Sequence, residues 1–495
     1  MQQNLLDFIS LTGGKILRIP LAVLSASLLA RAIGPEGVGQ WAMILAVTHL
    51  LHSFLFSWTQ SANVRFGREE WTLNNKLSDI WATRGPLIGI GIGLTAIILI
   101  AQPFSFLELF FKLSPSWWPY IFIFVLGQWF FSESQSLFRV TGKIRWLTLI
   151  PILVELTTII FLIILFFQPS KASLNFTLSG MILLFILTSG TVWVKEFLSS
   201  KSLDGKSNWE KRKKLIRYSW PLLPGLFFNY LSNWGDHILL QYFRPPREVG
   251  FFSSSYQVMQ VLFGLASSVS ILFLPKLIDR KLSEPGVEKD YLTRICPTII
   301  SFWLMVLIPF LIVIPWGYKL VFGKEFLEAI PVLLLLCVAV PSSIFTAIYS
   351  ILFELQERLG KATYFNGTAL VLNFIVSLAL VVQLGGIGVA YGTAASYFLA
   401  QILYVFDQHK YLKIPKKKIL ILLVSCMFCG VLQCVIGENL LLRTEAAVFC
   451  LVCLIPLIRH YNMIDKTILN NLLSGKLSTI QPFFYWLFIR KSESS

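Results

Sequence analysis

Lys15 and Arg18 lie three residues apart within an apolar stretch of the chain, a spacing that puts both cations on one face of a helix. Two cations on one face suit an anion. Arg18 sits about ten residues, roughly 15 Å of helix, from the nearer end of that stretch. Snorkelling to water from there is hard, so the pair is expected to line a cavity. Three acids could answer these cations. Asp236, in Asn233-Trp234-Gly235-Asp236-His237, has His237 beside it and Asn229 seven residues earlier on its face, and could pair with a cation or carry a proton. Glu155 follows Pro151 and is the deeper of the other two; Glu133 lies nearer a stretch end. An acid whose charge depends on a nearby cation such as Arg18 is how ion coupling or gating would be tuned.

Other constellations carry less chemistry. His49 and His52 are three apart with no neighbouring Cys or acid, which points to packing or hydrogen bonding rather than metal. Cys426-x-x-Cys429 and Cys450-x-x-Cys453 have zinc-ribbon spacing but lie in apolar runs, where cysteine acts as a small hydrophobe. Gly385-Gly386-Ile387-Gly388 follows no soluble strand and is not read as a dinucleotide loop. No phosphate-cradling lysine loop, acid-rich metal motif or nucleophile elbow occurs. The expectation is a protein that is not an enzyme and uses no cofactor or metal.

The elements that must position these residues follow from composition. The 495 residues are 55% apolar and 14% charged, with a mean hydropathy of +0.70. A soluble enzyme is excluded, because one globular core cannot hide that much apolar surface. The apolar residues come in blocks of about 20, the length that crosses roughly 30 Å of hydrocarbon. Fourteen spans are drawn, near 8–30, 38–60, 85–103, 117–138, 146–168, 176–194, 219–242, 251–275, 295–318, 329–353, 363–383, 387–406, 419–437 and 444–460. With the amino terminus inside, 32 of the 42 Lys and Arg, Arg84 among them, fall on the cytoplasmic side, and eight, including Arg31 and Arg443, on the other. That bias predicts both termini in the cytoplasm and reads the net charge of +16 as topology rather than as nucleic-acid binding. The first block holds Lys15 and Arg18 and ends in Arg31, so it is read as a retained span rather than a cleaved signal peptide. Gly85, Gly89 and Gly93 form a small-residue stripe expected to let another helix approach. Pro221, Pro224, Pro309, Pro315, Pro331 and Pro341 are expected to interrupt spans seven, nine and ten. The aromatic run Phe483 to Phe488 before Arg490 and Lys491 reads as an interfacial anchor.

The chain also repeats itself. Gly34-Pro35-Glu36-Gly37-Val38-Gly39 after span one answers Pro245-Pro246-Arg247-Glu248-Val249-Gly250 after span seven, an offset of 211 residues. Leu137-Phe138 with Gly142-Lys143 answers Leu352-Phe353 with Gly360-Lys361, at offsets of 215 and 218. Six spans separate the copies, so the two halves insert with one orientation, related by a pseudo-two-fold along the membrane normal. The expected organisation is an N-terminal six-helix lobe at 1–198, a basic cytoplasmic linker at 199–217, a second six-helix lobe at 218–408, an added helix pair at 409–460 and a cytoplasmic interfacial tail at 461–495. The cleft between the lobes is the expected substrate path.

Four stretches together carry a resemblance: Leu28 to Gly39; Tyr218-Ser219-Trp220-Pro221-Leu222-Leu223 with Asp236 and Glu248-Val249-Gly250; Phe322-Gly323-Lys324-Glu325-Phe326; and Gly386-Ile387-Gly388-Val389-Ala390-Tyr391-Gly392-Thr393. In this order they resemble the polysaccharide flippases of the multidrug, oligosaccharidyl-lipid and polysaccharide exporter superfamily. The resemblance implies an all-α polytopic membrane fold of the multidrug-exporter type. It further implies alternating-access movement of a polyprenyl-pyrophosphate-linked oligosaccharide across a bacterial plasma membrane, for polysaccharide or O-antigen export. Glycan polymerase or glycosyltransferases would be its partners. It also implies cavity cations for the pyrophosphate: Lys15 and Arg18 fit by depth, and Arg31 and Arg65 are weaker candidates. Many such flippases have twelve spans, and an added pair is better known among peptidoglycan lipid flippases. Those flippases and a multidrug exporter of the same fold are therefore the alternatives.

Overall fold

The computed structural model describes residues 2–100, 111–143, 145–167, 173–200, 205–207, 209–283, 286–473, 485 and 487–488. Among these the regular structure is helical, with no strand, as a lipid environment demands of chains that must satisfy every backbone polar group within the segment. Each expected span falls mainly on helix, residues 101–103 and 168 lying outside the described residues. Nine helices among the described residues are long and apolar enough to cross a membrane, and one of these, Leu17–Asn74, takes in expected span 38–60 and the latter part of 8–30. The chain divides into two compact units, Met1–Ser254 with Val321–Phe326, and Ser255–Leu320 with Leu327–Ser495.

The first unit opens with α1, Gln2–His52, interrupted at Gly34 (φ 66°). A positive φ costs glycine least, and Pro35, with its fixed φ and missing N–H, restarts the helix at once. The expected loop therefore shrinks to a one-residue break. The helix runs on through a π-helical Ser53–Ser57, α2 (Trp58–Ala62), a π-helical Asn63–Gly67 and α3 (Arg68–Asn74). There follow α4 (Ser78–Ile100), α5 (Trp118–Thr141), α6 (Trp146–Phe166), α7 (Leu174–Ser199), the short basic α8 (Trp209–Ser219), α9 (Leu223–Phe243) and the first turns of α10 (Pro246–Ser283). Pro221 and Pro224 lie at the start of α9 and in the turn before it, rather than inside a span.

Two expectations about α4 are corrected. Its buried face is Trp81, Arg84, Ile88, Gly91, Thr95 and Leu99, at helical three- and four-residue spacing. The glycine stripe lies off that face: a Cβ placed on Gly85, Gly89 or Gly93 meets nothing within 4 Å, so no helix among the described residues packs there. Arg84 is not a loop cation either. Its side chain and that of Glu133 on α5 are both 0% exposed, and the guanidinium donates to both carboxylate oxygens, at 3.0 and 2.5 Å, and to Thr59 Oγ1 at 3.2 Å. A charge that deep is tolerated only when neutralised and hydrogen-bonded; here the carboxylate neutralises it and both terminal nitrogens are hydrogen-bonded, Nε alone having no partner among the described residues. A polar seam extends from this pair between the second span and α5: Gln60 donates to Ser132 Oγ at 2.6 Å, Asn63 donates to Ser136 Oγ at 2.9 Å, and His52 Nε2 meets Ser132 Oγ at 2.8 Å. His52 Nδ1 meets Ser57 Oγ at 3.2 Å, so hydrogen bonding accounts for this imidazole.

The second unit contains the rest of α10, α11 (Val287–Asp290), α12 (Cys296–Phe322) as far as Leu320, α13 (Ile330–Cys337), α14 (Ser343–Leu355), α15 (Leu359–Leu384), α16 (Gly386–Leu412), α17 (Lys417–Val435), α18 (Leu440–His460) and α19 (Lys466–Leu473). Span ten is two helices: Pro331 begins α13, and Pro341 lies in the break before α14. The Gly388 and Gly392 motif packs α16 onto α15, since a Cβ on either would fall within 2.6 Å of Leu380 O or 2.1 Å of Ser377 Oγ. Cys426, Cys429 and Cys450 join one apolar core with Ile300, Phe345 and Tyr404, which is the small-hydrophobe behaviour expected of them. Phe488 is buried in the same core, with its ring edge-on to Phe302 at 6.4 Å; half of the run, Phe483, Phe484 and Trp486, lies outside the described residues.

Arg443 is likewise not a loop cation. It is 1% exposed and donates to four carbonyls: Gln433 O (2.9 Å), Gly437 O (2.8 Å), Leu311 O (2.6 Å) and Ile312 O (3.3 Å). Two of these close α17, where helix-end carbonyls attract a cation. The Leu311 carbonyl is available because Pro315, four residues on, has no N–H to give it. The proline kink of α12 and the added helix pair are thus joined by one guanidinium, and the Lys319–Glu438 ion pair at 2.6 Å lies alongside.

Candidate functional site

The site is built on two parallel helices of the first unit. Gly14 of α1 abuts Thr148 of α6 so closely that a Cβ there would lie 1.6 Å from Thr148 Cγ2. Without a side chain at that point the helix backbones can approach. Moving forward along both helices, the next polar groups meet. Ser25 Oγ donates to Glu155 Oε2 at 2.9 Å, and Arg18 Nη2 stands 3.9 Å from Glu155 Oε1. Pro20, between Arg18 and Ser25, removes one backbone bond of α1 and frees the Ile16 carbonyl.

The pair is asymmetric. Glu155 is 19% exposed and held by the serine, whereas the Arg18 side chain is 51% exposed. At 3.9 Å the carboxylate leaves most of the five guanidinium donors available, in a fork suited to two oxygens of one anion. Lys15 belongs to the same helix, one turn earlier; its side chain lies outside the described residues.

The remaining candidates stand elsewhere in the unit. Arg31 donates from Nε to Val321 O at 3.2 Å, and Ser27 Oγ donates to the same carbonyl, so the Phe322 to Phe326 motif begins against α1 just before its break at Gly34. Arg65, in the second π-helical stretch, is 60% exposed and paired with Glu69 one turn on, at 3.2 Å. Asp236 and His237 are both buried in α9. The His237 ring meets Phe252 edge-on at 5.1 Å. α9 is fixed to the second part of α1 by Tyr230 Oη, which donates to Ala46 O at 3.2 Å, and by Trp234 stacked on His49 at 5.4 Å. Glu133 is committed to Arg84. The structure therefore brings Arg18 and Glu155 together, while Arg31, Arg65 and Glu133 have partners of their own. Sequence reasoning missed the Arg84–Glu133 pair; the available signal was an acid and a base near neighbouring ends of consecutive spans.

The two copies of the repeated loop meet within this unit. A Cβ on Gly39 would lie 1.9 Å from Pro246 O, and one on Gly250 would lie 1.8 Å from Pro35 O. Each copy's glycine receives the other copy's proline carbonyl, a reciprocal exchange of the kind a two-fold axis generates. Val38 and Val249, at matching positions, are both buried beside it.

The fold is similar to that of a structure titled "Lipid II flippase MurJ, inward closed conformation", with a TM-score of 0.67 at 15% identity over 91% of this chain and 98% of that one. It is also similar to an inward-facing multidrug resistance MATE family transporter of the MOP superfamily, with a TM-score of 0.60 at 16% identity over 79% of this chain and 94% of that one. No curated protein matches the sequence. Residues 5–279, more than half of the chain, match the family described as "Polysaccharide biosynthesis protein". The chain is a multi-pass membrane protein of MurJ- and MATE-like fold and belongs to the polysaccharide biosynthesis protein family.

Proposed function

We propose that this protein is a flippase that moves a polyprenyl-pyrophosphate-linked oligosaccharide across a bacterial plasma membrane by alternating access, supplying polysaccharide or O-antigen export. The observation that carries the reading is the half-exposed Arg18 guanidinium on α1, held 3.9 Å from Glu155 in a chain of the polysaccharide biosynthesis family. A pyrophosphate presents several acceptor oxygens, and a guanidinium with Lys15 one turn away offers matched donors. The glycan then crosses in a wet cleft while the prenyl tail stays in lipid.

On this reading both termini are cytoplasmic. The expected lobes at 1–198 and 218–408 move about the substrate path, with the linker at 199–217 between them. Arg31 and Arg65 attract the substrate at the two membrane faces, and Glu155 with Asp236 and His237 couples or gates the change. Glycosyltransferases or a glycan polymerase would supply and consume the substrate. A cavity for cationic drugs would favour acids and aromatics, and two mid-span cations oppose that alternative. The likeness to the lipid II flippase, which extends over 91% of this chain, favours a second reading in which the same pyrophosphate head carries a peptidoglycan precursor.

The test is transport by the full chain in proteoliposomes. A fluorescent polyprenyl-pyrophosphate oligosaccharide is expected to cross, and a cationic dye is not. Dye transport without glycan transport would overturn the proposal, and the sugar preferred among several head groups separates the two glycan readings.

A further inference from the structure

At 21 residues α9 is long enough to cross the hydrocarbon, yet it is not among the nine helices apolar enough to do so. Asn229, Asn233, Asp236, His237 and Gln241 are the reason. One face of the helix is packed on the second span: Phe227 lies edge-on to Phe54 at 5.7 Å, Tyr230 Oη donates to Ala46 O at 3.2 Å and Trp234 stacks on His49 at 5.4 Å. Gly225, Asn229, Ser232, Asn233 and Asp236 form a second stripe at three- and four-residue spacing. Each asparagine precedes a packed aromatic by one residue, so this stripe is turned about 100° from the packed face. It is open along most of its length: Asn229, Ser232 and Asn233 are exposed and a Cβ on Gly225 meets nothing within 4 Å, while Asp236 at its end is buried.

Asn229 lies six residues from the start of α9 and Asn233 ten from its end, roughly 9 and 15 Å along the axis. Both are at hydrocarbon depth. Local bonding satisfies only part of each amide, since Asn233 Nδ2 donates to Asn229 O at 2.7 Å and to Asn229 Oδ1 at 3.3 Å. Asn229 Nδ2 and Asn233 Oδ1 have no partner among the described residues. Against acyl chains such groups would give up water's hydrogen bonds for nothing; polar side chains at this depth face a water-filled path instead.

The chemistry of the stripe selects what passes it. Its open part carries no charge, so it offers a pyrophosphate nothing, and an apolar chain would leave both amides unmet. A sugar hydroxyl donates and accepts at once, which matches one free amide donor and one free amide acceptor a turn apart. We infer that Asn229 and Asn233 hold the glycan of the transported lipid, a role that rests on the flippase reading above. Recognition is then divided: Lys15 and Arg18 of α1 take the pyrophosphate, and α9 takes the sugar.

The test is binding of two lipids to the full chain in detergent, a polyprenyl pyrophosphate bearing a hexose trisaccharide and the same lipid without sugar. Wild type should bind the glycosylated lipid at least roughly ten-fold more tightly. Asn229→Ala and Asn233→Ala should each lose roughly five-fold of that preference, the scale of one neutral hydrogen bond. Asn229→Leu/Asn233→Leu should bind the two lipids equally and keep wild-type affinity for the bare one, whereas Lys15→Gln/Arg18→Gln should weaken both and keep the sugar preference. Equal binding of the two lipids by wild type, or the full preference retained in both single Ala variants, would overturn the sugar site and leave the flippase reading standing. Binding of neither lipid by wild type would overturn both.

Discussion

Arg18 and Glu155 lie 3.9 Å apart, on helices joined earlier along both by Gly14 and Thr148, yet only the arginine is substantially exposed. That imbalance separates two roles. If the arginine served only to neutralise the acid, exchanging them in Arg18→Glu/Glu155→Arg would keep the pair and its function. The anion-binding role predicts the opposite: the exchanged protein folds, with a melting temperature near wild type, but transports at background rate. Glu155→Gln should retain part of the transport, because Ser25 can still donate to the amide oxygen.

The Arg84–Glu133 pair should behave as structure. Removing one partner of a buried ion pair costs about 3–5 kcal/mol, whereas replacing both with apolar residues is often neutral. Arg84→Met alone should sharply lower thermal stability in detergent. Arg84→Met/Glu133→Leu should recover most of it and should transport. A double variant that is stable but inactive would return Glu133 to the coupling machinery.

The reciprocal Gly39 and Gly250 contact predicts strong non-additivity. Gly39→Ala or Gly250→Ala places a carbon about 2 Å from a carbonyl oxygen, so the helices beginning at Pro35 and Pro246 must part. Thiol labelling of cysteines introduced as Glu36→Cys and Arg247→Cys should accelerate in either variant, and the double variant should add little, since one contact has already opened. Unchanged labelling would show that the contact does not hold the two helices together.

Arg443 should anchor α17 and α18 through the carbonyl that Pro315 frees. Arg443→Met leaves buried carbonyls unmet, at about 1–3 kcal/mol, read as a lower melting temperature. In a Pro315→Ala background the new N–H competes for Leu311 O, so the same substitution should cost less.

The helices are legible in the sequence because an apolar run of about 20 residues has few other outcomes, and the repeat because glycines and prolines mark backbone geometry rather than side-chain chemistry. The pairing of Arg18 with Glu155 is legible in part, from two ionisable groups in otherwise apolar spans. Arg84 and Arg443 mislead for one reason: a cation beside an apolar run looks like its boundary. Both are inside, because their partners come from distant segments, Glu133 on the following helix, 49 residues on, and Leu311 132 residues earlier. The glycine stripe misleads because small residues permit close packing without requiring it, and the buried face of α4 is set by Trp81, Arg84 and Ile88.

Binding of a polyprenyl pyrophosphate and its monophosphate to the wild-type chain and to Lys15→Gln/Arg18→Gln tests the central claim most directly. Wild type should prefer the pyrophosphate by at least about ten-fold, the scale of one charge-assisted hydrogen bond, and the double variant should bind the two lipids equally. A double variant that folds and keeps the wild-type preference would contradict the account.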